Sequence, residues 1–278
     1  MSKLNFFKKG NVKISYRYYK RSKKTLIFLH GLLSDMSGKK SNFLNNYCKK
    51  NNISYLCFDF QGHGRSSGEF TNFGISDWYD DLDNIVKYLK IRNFILIGSS
   101  MGGWVAIIYA LMHPKKVTKL IGIAPAPDFT AKLIWENLNI NQRKKIKNNK
   151  IVKQKISSDF AYYYSPALFN RSKKYLLEKI KGDFLGETIF LHGGQDKAVP
   201  YGYNDKFNLS KKFKNFKNIL IKHADHSLSD KESLKTLSKF ISVSYTHLRA
   251  HETPEHLVCR LMLLKKKWGG GGGGGGGG

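Results

Sequence analysis

The chain has few cysteines, few prolines and few acidic residues. Its 278 residues include 3 Cys and 6 Pro, and 20 Asp and Glu stand against 48 Lys and Arg, which gives a formal net charge of +28. So few cysteines exclude a framework of disulfides. Cys48 and Cys57 both lie in apolar stretches, so we expect buried thiols in a reducing compartment.

Long hydrophobic runs are also absent. No stretch reaches the ~20 apolar residues that a membrane span needs, and residues 1–10 lack the apolar core of a signal peptide. The sequence therefore predicts a soluble cytoplasmic protein with no membrane span, and it leaves the oligomeric state unknown. Because no set of His, Cys, Asp and Glu has the spacing of a metal site, we expect neither a metal nor another cofactor.

The excess of positive charge is nearly all lysine, and it runs from Lys3 to Lys239. Such a charge can mark a surface that binds nucleic acid or an anionic membrane. The lysines come with abundant Asn and Ile, a combination typical of codon bias in an AT-rich genome. We favour that interpretation, and so expect no nucleic-acid partner.

Residues 243–278 are unlike the rest of the chain. The run from Val243 to Thr253 resembles the translation of a sequencing adapter, and a lysine run and terminal glycines follow it. We interpret these residues as an artefact rather than native sequence, and exclude them from the fold. On this interpretation the natural C-terminus is missing, and the native sequence breaks off shortly after Ile241 in the last predicted helix.

Apolar runs alternate with amphipathic stretches along residues 1–242, the expected extent of one domain. The runs predict buried strands at residues 25–29, 53–60, 94–97, 120–124, 188–191 and 219–221. The stretches predict helices at residues 41–50, 76–89, 102–112, 204–212 and 231–240. This order indicates an α/β fold with a mostly parallel, doubly wound sheet, and ligands bind such sheets at the carboxyl ends of the strands. Residues 12–19 alternate with period two and predict an antiparallel edge strand.

Residues 126–185 interrupt that order. They show no obvious strand over a length too great for a plain loop, but helical patterns at residues 133–138 and 174–180. We interpret them as a helical cap inserted over the sheet. Its aromatic residues line an acyl pocket or form the cap's own core, and the sequence favours neither; they are Phe160, Tyr162, Tyr163, Tyr164 and Phe169.

The motif that carries chemistry is Gly98-Ser99-Ser100-Met101-Gly102, which links a predicted strand to a predicted helix. A serine at the apex of such a turn is the nucleophile elbow of a hydrolase. The turn is strained, and the flanking glycines remove Cβ atoms that would clash. It exposes the Ser100 hydroxyl and leaves the Met101 amide at a helix N-terminus, where an oxyanion is stabilised.

A serine needs a histidine base oriented by a carboxylate, and in this fold the chain order is Ser, acid, His. Asp196 and His226 each follow a predicted strand downstream of Ser100, and one helix and one strand fit between them. Asp128 is an alternative acid. The nearby polar residues receive structural interpretations: His223 packs in the interior, Asp225 makes a turn, and His192 supports its loop.

The loop after the first parallel strand should supply the second oxyanion donor, and we assign it to the Leu32 amide. His30 is expected to fix this loop rather than act as a base. Residues 59–68 superficially resemble a dinucleotide-binding glycine motif, but a polar loop follows them where a helix should begin. We therefore expect a structural turn there.

Four motifs resemble the α/β-hydrolase superfamily, and in particular the bacterial relatives of the mitochondrial palmitoyl-protein thioesterase and acyl-glucuronide esterase branch. They are HGLLSDMSGKK (30–40), GSSMGGW (98–104), IGIAPAPDF (121–129) and HADHSLS (223–229). The resemblance covers nearly all of residues 1–242 and implies the α/β-hydrolase fold. Its catalytic residues correspond to Ser100, Asp196 and His226, the same three that the strand ends indicate.

These observations predict a cofactor-independent serine hydrolase that acts on esters or thioesters of a small molecule or an acylated protein. A carbon–carbon bond hydrolase with the same three residues is one alternative. A non-catalytic protein that keeps the fold and binds partners through its basic surface is the other. Acyl-chain length, leaving group and physiological substrate are not readable from the sequence.

Overall fold

The computed structural model describes residues 3–155 and 161–242. The proposed artefact at residues 243–278 and the cap residue Phe160 lie outside them. Met1–Phe240 form one compact unit, and Ile241–Gly278 are assigned to a second, of which only the last two residues of a helix are described. The fold below is that of the first unit.

Each predicted apolar run contributes to a strand, and the structure adds three strands that were not predicted, at residues 4–9, 152–155 and 161–164. The strands are β1 (Leu4–Lys9), β2 (Val12–Tyr19), β3 (Thr25–Leu29), β4 (Ser54–Phe58), β5 (Phe94–Ser99), β6 (Val117–Ile123), β7 (Val152–Lys155), β8 (Ala161–Tyr164), β9 (Phe184–Gly193) and β10 (Phe213–Ile221). Eight of them form one sheet in the order β1-β2-β4-β3-β5-β6-β9-β10. From β4 to β10 all neighbours are parallel, whereas β2 pairs antiparallel with both β1 and β4.

The helices flank this sheet. They are α1 (Lys39–Lys50), α2 (Ile75–Tyr88), α3 (Met101–Met112), α4 (Ile140–Lys147), α5 (Pro166–Asn170), α6 (Leu209–Lys212) and α7 (Lys231–Ser242). α3 is buried from Met101 to Leu111, since its apolar sequence has no polar face to present to water. α2 instead buries one stripe that includes Ile75, Trp78 and Leu82. Within the described residues, no helix is both long and apolar enough to cross a membrane.

The alternation of strands and helices confirms the predicted α/β sheet, with corrections at its margins. The strand at residues 12–19 is antiparallel as predicted but is not the edge, because β1 pairs along its outer side. The helix predicted at residues 204–212 is divided into a 3-10 turn, Tyr203–Phe207, and the short α6. Asn208 separates the two, because its φ of 45° is left-handed and ends the first turn.

The β6–β9 segment, residues 124–183, differs most from the sequence pattern. The helices predicted at residues 133–138 and 174–180 are short π and 3-10 turns, while α4 and α5 form elsewhere in the segment. The segment also contains a hairpin of β7 and β8, although no strand was predicted there. Its strands are short, and the pair Val152–Tyr164 buries one face while Lys153–Tyr163 leaves the other exposed.

Candidate active site

The sheet brings three residues that are far apart in sequence to its carboxyl edge. Ser100 directly follows β5, Asp196 lies three residues after β9, and His226 lies five residues after β10. β5 and β9 are both neighbours of β6, and β10 pairs with β9. Because these strands are parallel, their loops emerge on the same side of the sheet.

Ser100 has the strained backbone that the motif predicts. Its φ is 52° and its ψ is −116°, and α3 begins at the next residue. The turn tolerates no Cβ on either side: one at Gly98 would lie 2.2 Å from the carbonyl oxygen of Gly102, and one at Gly102 would lie 2.4 Å from the oxygen of His30. Hydrogen bonds hold the strained residue, as the Ser100 amide donates to the oxygen of Ile123 at 2.9 Å.

His226 lies between the other two residues. Its Nε2 is 3.1 Å from Ser100 Oγ, and its Nδ1 is 2.7 Å from Asp196 Oδ2. The Asp196 side chain is fully buried, and its Oδ1 accepts bonds from the amides of Ala198 and Val199, each at 2.8 Å. These two donors hold the carboxylate as an acceptor, so Nδ1 of His226 carries the proton and Nε2 is free to accept one from Ser100.

Two backbone amides next to Ser100 are candidate oxyanion donors. The Met101 amide belongs to the first residue of α3, and Leu32 follows Gly31, whose Cβ position would lie 3.4 Å from Ser100 Cβ. Within the described residues, neither amide donates a hydrogen bond to another protein group. Unpaired amides beside a serine hydroxyl are suited to bind a developing negative charge.

The competing residues have other partners. Asp128 accepts from the Leu177 amide at 3.0 and 3.2 Å, within the β6–β9 segment, and burial raises its pKa to about 6. Asp225 accepts from the amides of Ser227 and Leu228 and closes a turn, as expected. The interior packing predicted for His223 is wrong: its side chain is half exposed, with Nε2 3.4 Å from Glu232.

Buried histidines support the neighbouring loops. His30 Nδ1 is 2.8 Å from the oxygen of Gly31, while its Nε2 accepts from the Phe60 amide at 3.2 Å. Burial lowers the pKa of His30 to about 4, which keeps the ring neutral and suits a loop-fixing role. His192, also neutral with a pKa lowered to about 4 by burial, lies 3.2 Å from Asn204 Nδ2.

The glycine-containing loop after β4 is a structural turn. Asp59 accepts from the amides of Met36 and Arg65 and from the hydroxyl of Ser15, at 2.7 to 2.9 Å. A Cβ at Gly64 would lie 2.3 Å from this carboxylate. A further stretch of loop precedes α2, so no helix N-terminus opens on these glycines.

A cavity of about 630 Å³ lies above Ser100 and His226. Its apolar wall includes Met101, Phe129, Leu133, Ile134 and Val199, and the carboxyl edge of the sheet supplies the polar groups. The aromatic residues of the β6–β9 segment have three different environments. Tyr162 and Tyr164 line this cavity, Tyr163 is exposed, and Phe169 packs on Trp135. Among the described residues, no three His, Cys, Asp or Glu are grouped to hold a metal ion.

Comparisons with known proteins agree with this fold. The family model of the alpha/beta hydrolase fold matches residues 24–150. A crystal structure of a protein from Agrobacterium vitis S4 superposes with a TM-score of 0.79 at 26% identity, over 87% of this chain and 98% of that one. The chain has the α/β-hydrolase fold.

The chain is related to one branch of the α/β-hydrolases. The palmitoyl-protein thioesterase ABHD10 of rat mitochondria is 27% identical over 237 residues, which are 84% of this chain and 80% of the relative. The alpha/beta hydrolase domain-containing protein 10 from mouse shares the fold, with a TM-score of 0.76 and 24% identity over 94% of this chain and all of that one.

One residue near the candidate active site, Lys40, was not predicted from the sequence. Lys40 Nζ donates to the carbonyl oxygen of Ser227 at 2.5 Å and to Ser229 Oγ at 3.3 Å, so it joins the start of α1 to the loop that carries His226. Burial lowers the pKa of Lys40 to about 8, although Asp225 partly opposes the shift. The only local signal was its place in the motif of residues 30–40, because its partner lies 187 residues away.

Proposed function

We propose that this α/β-hydrolase is a serine hydrolase that cleaves carboxylic esters or thioesters. The observation that carries the proposal is the position of His226, which lies 3.1 Å from Ser100 Oγ and 2.7 Å from a buried carboxylate. A serine, a base and an acid in this geometry activate the hydroxyl as a nucleophile. The thioesterase name of the rat relative supports one of these bond classes.

The mechanism follows from these contacts. Ser100 Oγ attacks the acyl carbonyl carbon while His226 Nε2 takes its proton, and Asp196 stabilises the imidazolium that forms. The amides of Met101 and Leu32 donate to the oxyanion of the tetrahedral intermediate. His226 then gives its proton to the departing alcohol or thiol, which leaves Ser100 acylated. A water molecule, deprotonated by His226, attacks this acyl-enzyme and releases the carboxylic acid and free Ser100.

The substrate we propose is an acyl compound whose hydrocarbon part enters the cavity beside Ser100. Phe129, Leu133 and Ile134 offer an apolar wall, and about 630 Å³ is within the usual size of a small-molecule site. The acyl group belongs to a small molecule or to an acylated protein. The geometry favours neither an ester nor a thioester, because both place the same carbonyl on Ser100.

The first test is intact-mass labelling with a fluorophosphonate. We expect one adduct on the full chain and none on Ser100→Ala, since the reagent needs an activated serine and a formed oxyanion hole. Ser100→Ala should also lose about four to six orders of magnitude in kcat while staying folded. A variant that keeps more than a few per cent of the wild-type turnover would refute the assignment.

The second test is a panel of acyl thioesters, acyl esters and a vinylogous diketone, assayed with the wild-type chain. We expect turnover of esters or thioesters with a dependence on acyl length. Cleavage of the diketone alone would instead identify a carbon–carbon bond hydrolase. No turnover and no adduct, on a chain shown to be folded, would leave a non-catalytic protein with this fold.

A further inference from the structure

The strongest feature outside the active site is a basic surface on the β6–β9 segment. We define it as residues 140–155, which comprise α4, the following loop and β7, together with Tyr163 on β8. Residues 140–155 contain seven Lys and Arg and no Asp or Glu. Within the described residues, none of these cations lies within 4 Å of a carboxylate, whereas elsewhere Lys87, Lys119 and Lys214 are paired with one.

The same surface exposes large apolar side chains. Ile140 at the start of α4 is 71% exposed, Ile151 is 47% exposed and Tyr163 is 44% exposed. Lys153 Nζ lies 5.6 Å from the centre of the Tyr163 ring, so a cation and an aromatic face lie together. Apolar side chains among unpaired cations are typical of a surface that lies on anionic lipid.

The β7–β8 hairpin connects this surface to the cavity. Opposed residues of an antiparallel pair share a face, and the register pairs Val152 with Tyr164 and Lys153 with Tyr163. Tyr164 and Tyr162 line the cavity that contains Ser100, whereas Lys153 and Tyr163 are exposed on the other face. A partner bound to the outer face of the hairpin is therefore separated from the cavity only by the hairpin itself.

We propose that the basic surface docks this protein on an anionic lipid bilayer. Lys and Arg pair with the lipid phosphates, while Ile140, Ile151 and Tyr163 enter the interfacial layer. Docking places the outer face of the hairpin against the membrane, so that the cavity lies close to the acyl chains on which the enzyme acts. This last step rests on the proposed function, but the docking itself does not.

A bilayer fits these observations better than a nucleic acid does. Phosphates of either partner would pair with the cations, and tyrosine stacks on bases. The two exposed isoleucines gain nothing from a phosphate backbone, whereas they lose contact with water in the headgroup layer. The apolar residues therefore distinguish the two partners.

The test is co-sedimentation of the full 278-residue chain with vesicles. We compare phosphatidylcholine alone with an equimolar mixture of phosphatidylcholine and phosphatidylglycerol, at low and physiological salt. The chain should bind the mixed vesicles and not phosphatidylcholine alone, and salt should weaken the binding. The Ser100→Ala chain should bind equally, so a failed hydrolase assay does not affect this result.

Three variants locate the contact, each checked for an unchanged thermal unfolding curve. The charge variant combines Lys144→Gln, Lys145→Gln, Lys150→Gln and Lys153→Gln. The matched control combines Lys8→Gln, Lys20→Gln, Lys23→Gln and Lys115→Gln, four exposed lysines outside the basic surface. The apolar variant combines Ile140→Ser with Ile151→Ser and keeps the charge.

We expect the charge variant to lower the partition coefficient by about two orders of magnitude, and the matched control to lower it by less than about threefold. The apolar variant should lower it by about tenfold or more. Equal losses in the charge variant and its control would show that only net charge attracts the vesicle, and would overturn the proposal. So would an apolar variant that binds like wild type, or a chain that binds oligouridylate but not the mixed vesicles.

Discussion

The carboxyl edge of the sheet and the β6–β9 segment both line the cavity, but they are built differently. At the sheet edge, each candidate residue follows a parallel strand within five residues, and backbone hydrogen bonds hold Ser100 and Asp196 in place. The β6–β9 segment consists of short turns, two short helices and a hairpin, with a cationic outer face. Its inner face contributes apolar and aromatic walls rather than reacting groups.

Two aspartates illustrate the difference. Asp196 follows β9, and its carboxylate binds two amides of its own loop and His226. Asp128 follows β6, and its carboxylate binds the amide of Leu177, inside the β6–β9 segment. Both follow parallel strands and both are buried, yet Asp196 is bonded to His226 whereas Asp128 is bonded to a loop of the β6–β9 segment. The role of each carboxylate is therefore set by its hydrogen-bond partner and not by its position in the sequence.

The largest expected effect separates those two aspartates. Asp196→Asn places an amide next to His226 Nδ1, which favours the wrong tautomer, so kcat should fall about 10⁴-fold. The matched control is Asp128→Asn, which should keep kcat within a few-fold because Asp128 has no bond to His226. Steady-state turnover of a soluble ester measures both. An equal loss of kcat in the two variants would contradict the different roles assigned to the two aspartates.

The second prediction concerns the close packing at the elbow. Gly102→Ala puts a Cβ 2.4 Å from the oxygen of His30, so α3 and the loop after β3 must move apart. The proposed oxyanion donors, the amides of Met101 and Leu32, lie on those two elements, so kcat should fall about 100-fold. The free energy of unfolding should fall by about 2–3 kcal/mol.

Gly10→Ala is the control for this substitution. Gly10 has a φ of 57° but no atom within 4 Å of its Cβ position. It should lose about 1–2 kcal/mol through backbone strain alone and retain full kcat. Urea unfolding and steady-state kinetics separate the two substitutions, and a Gly102→Ala chain of wild-type kcat would contradict the assigned oxyanion site.

The third prediction concerns Lys40, which connects α1 to the histidine loop. Lys40→Met removes its bonds to Ser227 and Ser229, so His226 is less well positioned and kcat should fall about tenfold. Lys50 is exposed at the far end of α1 and does not line the cavity, so Lys50→Met should leave kcat unchanged.

The pH profile distinguishes a positioning role from a merely structural one. The lowered pKa of Lys40, about 8, means that its ammonium is charged below that pH and neutral above it. Wild-type kcat should therefore decline as the pH rises through about 8, whereas kcat of Lys40→Met should stay level across that range. The same decline in both chains would assign it to another group.

The smallest expected effect is on stability alone. The folded-state pKa of Asp128 is raised to about 6 from 3.8, so the folded chain holds this proton more tightly than the unfolded chain does. The protonated Asp128 carboxyl therefore contributes to the free energy of unfolding below pH 3.8, and this contribution is lost as the pH rises through about 6. Between pH 4 and pH 7, Asp128→Asn should gain about 1–3 kcal/mol in unfolding free energy relative to wild type. Urea unfolding at both pH values checks this, and a difference independent of pH would contradict it.

Local residue patterns were enough to predict the central sheet and the candidate trio of Ser100, Asp196 and His226. Continuous apolar runs indicate strands buried on both faces, and glycines around Ser100 signal a strained turn, because both properties are local. The position of Ser100, Asp196 and His226 after successive strands was sufficient to predict that they lie together, because the loops that follow parallel strands emerge at one edge of the sheet. The same local signals failed where the β6–β9 segment has short elements, since a three- or four-residue element carries too little periodicity to be recognised.

Only the tertiary structure decided the remaining contacts. Lys40 reaches Ser227 across 187 residues, and Asp128 reaches Leu177 across 49. The hairpin of β7 and β8 directs Tyr164 to the cavity and Tyr163 to solvent, although the two are adjacent in a run of three tyrosines. Such contacts depend on which segments the fold brings together, and the free energy that selects them comes from burial and pairing rather than from local preference.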